Sequence, residues 1–180
     1  MAKQGDRYAK SSNGMAAFEQ LYQSYSPYLM TICCRYLSDD SEAEDVLQDA
    51  FVKIFQNLPR FRPRGDASLK AWMSKIVINE ALKALKKKGK FKKEKIEDVG
   101  EEFQEEDIQT ESVPTEVLLQ MIRKLPQGYR SVFNLYVLDG KSHREIARLL
   151  KIKESTSASQ LFKAKALLSQ NIKQYLNSNE

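Results

Sequence analysis

Near the end of the chain, Ser155, Ala158, Ser159, Phe162 and Lys163 recur at steps of three and four within "KESTSASQLFKAK". That spacing lines up one side of a helix. Hydroxyl, methyl, aromatic and ammonium groups in such a row, with Gln160 adjacent, suit contact with bases and phosphates in a DNA groove. They do not suit catalysis. The chain has one histidine, His143, and two adjacent cysteines, Cys33 and Cys34, inside an apolar helical pattern. These supply neither a zinc set nor a nucleophile with its base, so no cofactor, metal or reaction is expected. Buried thiols in a reducing cytosol are the expectation for the pair.

A reading helix must be held by a second one. "SHRE", Ser142 to Glu145, has capping-box spacing and opens a short helix with Ile146, Ala147, Leu149 and Leu150. Ala147 is small where two helices cross, and Ile152 can seal the turn between them. Leu161, Ala164 and Leu168 give the second helix an inner face, so the pair is a helix-turn-helix candidate. Ordinary helical hairpins share this pattern. Upstream, Val117, Leu118, Met121, Ile122 and Leu125 make one helix. Pro126 suits the first turn of the next, which runs through Val132, Phe133, Leu135, Tyr136 and Val137. Gly140 fits a helix end free to adopt positive φ.

The first half is also helical. Phe18, Leu21, Tyr22, Tyr25, Leu29, Ile32, Cys33 and Tyr36 form one stripe, which Pro27 is expected to break or kink. A second helix begins at "SEAE", where Ser41 and Glu44 have capping-box spacing. Its stripe is Ala43, Val46, Leu47, Ala50, Phe51, Ile54 and Leu58. A third starts near Asp66, with Leu69, Trp72, Met73, Ile76 and Leu82 inward.

Charge divides the chain. Eight lysines between Lys83 and Lys95 meet only Glu94, and a purely acidic run from Glu97 to Glu111 follows. Such blocks repel themselves and seldom pack. The fold class expected is therefore all-α: two small helical domains, 1–88 and 114–180, joined by a charged flexible linker over 89–113. A net charge of +5 suits a polyanionic partner. The polar start "MAKQGDRYAK" lacks the apolar core of a signal peptide, and no apolar run approaches the roughly 18 residues of a membrane helix. A cytoplasmic protein without membrane insertion is expected.

The segments "FEQLYQSYSPYL", "SEAEDVLQDAFVKIFQNLPRF", "GDASLKAWMSKIVINEALKALKKK" and "LLQMIRKLPQGYRSVFNLYVLDGKSHREIARLLKIKESTSASQLFKAKALL" together resemble the extracytoplasmic-function (ECF) sigma factors. They cover about residues 15–88 and 116–170 in the family's order. The resemblance implies a sigma factor that binds core RNA polymerase and directs initiation at promoter DNA, without catalysis of its own. It implies docking on the polymerase clamp helices through Asp45, Gln48, Asp49, Val52 and Phe55. Read without the family, Asp45 and Asp49 would be a solvated face and Val52 and Phe55 core. It implies opening of the downstream element by Arg62, Arg64, Trp72, Lys75, Asn79 and Lys83, with Arg60 and Phe61 interleaved. Taken alone, Trp72 reads as core and Asn79 as a helix-interior amide. The upstream element falls to Ser155, Ala158, Ser159, Gln160, Phe162 and Lys163. An anti-sigma partner is implied as well.

The chain departs from the family at its reading helix. Ser155 stands for a usual glycine, and Ala158, Gln160, Lys163 and Lys165 stand where basic residues, mostly arginines, are common. Lys151 holds a usual glycine's turn position, and Lys153 caps poorly, so the helix is expected to start later, at Ser155. Lysine is a point charge and cannot reproduce arginine's bidentate hold on guanine. Two other readings stand beside the sigma factor. A free-standing helix-turn-helix regulator would bind duplex DNA tightly without polymerase, and a helical adaptor would show no salt-dependent DNA binding.

Overall fold

The computed structural model describes residues 14–62, 66–87 and 112–178. The chain divides into two compact units, Met1–Lys88 and Gly89–Glu180. Among the described residues every regular element is helical. Arg64, the lysines from 88 to 95 and most of the charged linker lie outside them.

In the first unit, helices α1 (Gly14–Tyr36), α2 (Asp40–Asn57) and α3 (Asp66–Lys87) each pack against the other two. Their inward stripes close a core that includes Leu29, Cys33, Tyr36, Ile54, Met73 and Val77, all nearly inaccessible. Pro27 does not end α1. Its missing N–H costs one backbone bond, while the Thr31 hydroxyl donates to the Pro27 carbonyl at 3.1 Å. The cap of α2 is Asp39, not Ser41: its Oδ1 accepts from the Glu42 amide at 2.9 Å. Both residues precede a glutamate by three, and the aspartate wins because the helix already includes Asp40 and Ser41. A short 3-10 turn, Leu58–Arg60, follows α2.

The second unit begins before Pro114, since Val113 is buried in its core with Met121, Ile122, Leu125, Ala164 and Leu168. Helix α4 is Thr115–Lys124 and α5 is Gln127–Phe133, with Pro126 at the cap of α5, one residue ahead of the expected first turn. The helix does not continue regularly to Val137. From Asn134 to Leu138 it widens into a π turn, closed by the Asp139 amide donating to the Asn134 carbonyl at 2.9 Å. The wider turn brings Tyr136, Val137 and Leu138 to the surface while Leu135 stays buried. Gly140 adopts φ +63°. Helices α6 (His143–Leu150) and α7 (Glu154–Ser178) complete the unit.

Candidate nucleic-acid interface

The "SHRE" stretch forms the capping box its spacing predicts. The Ser142 hydroxyl accepts from the Glu145 amide, and Glu145 Oε2 accepts from the Ser142 amide at 2.9 Å. The Ser142 backbone N–H and then the Ser142 hydroxyl, which donates to the same Oε2 at 2.8 Å, hold the Glu145 carboxyl below the usual carboxylate range. Helix α6 ends at Lys151, the one non-glycine residue at positive φ among the described residues, at φ 57° and ψ 45°. That conformation favours glycine, so the lysine is strained here. The Ile152 amide donates back to the Ala147 carbonyl at 3.1 Å, closing the turn.

Helix α7 starts at Glu154, earlier than its poor capping residue predicts. Lys153 fills the cap position through its backbone, its carbonyl accepting from the Ser157 amide at 3.0 Å. The three-residue turn fixes the start more strongly than the side chain. Leu161, Ala164 and Leu168 face inward and are buried. Ser155, Ala158, Ser159 and Phe162 are exposed, and Lys163 is half-buried. Gln160 lies apart from that row. It is half-buried, and a Cβ on Gly128 would come within 3.0 Å of its Nε2, so its amide rests against α5. His143, passed over in the sequence apart from metal chemistry, ties the two helices together. Its Nδ1 shares a 2.9 Å hydrogen bond with the buried Ser157 hydroxyl, and its ring stacks on Tyr136 at 4.6 Å.

In the first unit, Asp45, Gln48, Asp49, Val52 and Phe55 are all exposed along one side of α2. The opposite side carries the buried stripe from Ala43 to Ile54. Val52 is 55% and Phe55 47% accessible, so the apolar pair is not core. Phe18 of α1 meets the Phe55 ring edge-on at 4.9 Å, widening the apolar end of that face.

Across α2 and α3 opens a cleft of about 380 Å³, lined by Lys53, Asn57, Arg60, Phe61, Trp72, Ile76, Asn79 and Glu80. Of the sequence-derived strand-opening candidates, Trp72 and Asn79 meet there, together with the interleaved Arg60 and Phe61. Trp72 is half-buried, a cleft wall and not closed core, with the Phe61 ring 4.6 Å away at 30°. Asn79 is exposed. Lys75 and Arg62 are exposed but outside the lining, and Arg62 turns back to donate to the Pro59 carbonyl at 3.1 Å. Lys83 stands beside the cleft, 3.7 Å from Glu80 Oε2.

The sequence reading missed Lys53, Asn57 and Glu80. Glu80 is only 8% accessible, and Lys53 reaches across from α2 to its Oε1. A carboxylate this buried needs such a partner. The only signal was a second polar residue next to Asn79 in the apolar run "KIVINEAL".

No described group of histidine, cysteine and acidic side chains can hold a metal ion. Cys33 is buried and Cys34 half-buried; burial, with Cys34 adjacent, pushes the Cys33 thiol up to about 12.

Residues 21–91 match the family Sigma-70 region 2, and residues 115–168 match Sigma-70, region 4. The RNA polymerase sigma-H factor of Pseudomonas aeruginosa is 29% identical over 163 residues, 83% of this chain and 82% of that protein. The ECF RNA polymerase sigma-E factor of Escherichia coli K12 is 27% identical over 161 residues, 83% of each chain. A solved structure of the sigma factor RpoE with the anti-sigma factor NepR, from Bartonella quintana, superposes at TM-score 0.49 with 21% identity. It covers 87% of this chain and 96% of that one.

Proposed function

The chain belongs to the ECF sigma factors, and from that membership we propose how its surfaces divide the work. It is a non-enzymatic initiation factor that binds RNA polymerase and directs promoter recognition through regions 2 and 4. Asp45, Gln48, Asp49, Val52 and Phe55 dock on core polymerase. The observation that carries this assignment is the exposure of Val52 and Phe55 in line with three polar residues on a helix whose other side is fully packed. An apolar centre with a polar margin is how a protein interface is built.

The cleft beside Asn79 receives a base drawn out of the downstream element. Its aromatic wall offers stacking worth roughly 1–3 kcal/mol per base. Asn79 offers both donors and an acceptor to a base edge. Arg62, Lys75 and Lys83, with Arg64, hold the strand's phosphates. The α6–α7 pair reads the upstream element from Ser155, Ala158, Ser159, Phe162 and Lys163; Gln160 supports α7 from its flank. An anti-sigma factor masks these surfaces until they are needed, as the family resemblance implies. The protein works in the cytoplasm, beside its polymerase. Among the described residues no helix is long and apolar enough to cross a membrane.

The decisive experiment is transcription from a promoter library by purified core polymerase, with and without this protein. Promoter-specific transcripts that appear only with it are the expected result. Absence of both transcripts and core binding would overturn the assignment. A free-standing regulator would have no use for a region 2 match, and an adaptor no use for a reading helix.

A further inference from the structure

Charge and neutrality are segregated around α7. Its exposed row of Ser155, Ala158, Ser159 and Phe162 contains no cation. Glu154, exposed at the head of the row, can accept from a cytosine amino group but offers guanine nothing. Lys163 and Lys165, further along α7, are half-buried, and the exposed cations near the row stand off the helix: Arg144 and Arg148 are exposed on α6, and Lys151 and Lys153 are exposed in the turn. In this motif the first helix crosses the DNA backbone while the second enters the major groove. Phosphate contacts set register and base contacts set sequence. So the groups that can hold phosphates lie on α6 and the turn, and the groups that can meet bases are almost all uncharged.

Reading guanine through O6 and N7 takes a long, preferably bidentate donor such as arginine. The row has none. Its hydroxyls both donate and accept, so they discriminate little between bases. What remains is apolar: the Ala158 methyl and, one turn on, the Phe162 ring at 38% accessibility. In the major groove an apolar side chain has one distinctive partner, the C5 methyl of thymine.

We propose that α7 selects its upstream element through thymine methyl groups packed on Phe162 and Ala158, while Arg144, Arg148, Lys151 and Lys153 hold the flanking phosphates. This rests on the sigma-factor reading and adds to it the kind of base that is read.

The test uses holoenzyme assembled from core polymerase and the full chain. Promoters with a randomised upstream segment are selected by binding, and the winners are remade with uracil for thymine, which removes only the methyl. Selected sequences should carry thymine, and the uracil versions should bind roughly fourfold more weakly per methyl contacted, the factor for one buried CH₂-sized group. Phe162→Ala should erase most of that difference, and Phe162→Leu should retain it. Arg148→Ala should weaken all sequences alike. Guanine-led winners, equal binding of thymine and uracil versions, or a holoenzyme that forms yet selects nothing would each overturn the proposal. Failure of holoenzyme to form would instead overturn the sigma-factor assignment.

Discussion

At the scale of single residues, the docking face turns on Asp49, an exposed carboxylate in the middle of its row. Asp49→Arg replaces it with the opposite charge at a site where folding asks little, so stability should stay within about 0.5 kcal/mol of the parent. Charge mismatch at an interface costs several kcal/mol, so competition for core polymerase should weaken at least about a hundredfold. Equal competition by the variant would mean that the docking face lies elsewhere. Glu145 makes a second case. Its carboxyl is held below its ordinary 4.5, so the folded state favours the ionised form. That stability is present above the ordinary value and is lost as pH falls through the lowered one. Glu145→Gln should therefore lower the melting temperature of the second unit at pH 7, and the deficit should shrink as pH falls below the ordinary carboxylate range and through the lowered value. Residue types told only part of this. Val52 and Phe55 look like core until the buried side of α2 is known, whereas the Lys53–Glu80 pair joins helices 27 positions apart and leaves no local spacing to find.

At the scale of elements, apolar periodicity set out the helices well, because three- and four-residue steps must face a core wherever they occur. Ends and irregularities were harder. Asp39 and Ser41 offer the same spacing to a glutamate, and only the folded backbone chooses. The π turn at Asn134–Leu138 follows a run whose apolar pattern reads equally well as plain helix. The turn at Lys151 was legible from the family's usual glycine there, and it adopts the left-handed backbone that such a glycine serves. Lys151→Gly should relieve that strain and stabilise the second unit by about 1 kcal/mol, measured by chemical denaturation. A loss of stability would mean that the lysine side chain makes contacts that outweigh the strain.

At the scale of the whole molecule, each unit buries a core drawn from its own helices, with Ile54 fully buried in the first and Ala164 in the second. Ile54→Ala leaves a cavity that should cost the first unit about 2–5 kcal/mol. Calorimetry should then show the transition of the first unit moving down while that of the second keeps its position. A joint shift of both would reveal thermodynamic coupling between them. The division into two units could be read from the charge blocks, since runs of like charge cannot share a core. The docking and strand-opening residues could be read only where the family supplied a role, whereas the reading helix showed in its own spacing; the cleft itself is lined from α2, α3 and Arg60 and Phe61 between them, which no local spacing brings together.

The buried Cys33 carries a practical consequence. With its thiol pushed up to about 12 and no accessible surface, it should resist alkylation for as long as the three helices stay closed. In a Cys34→Ala background, the rate at which iodoacetamide consumes the remaining thiol becomes a clock for transient opening of the first unit.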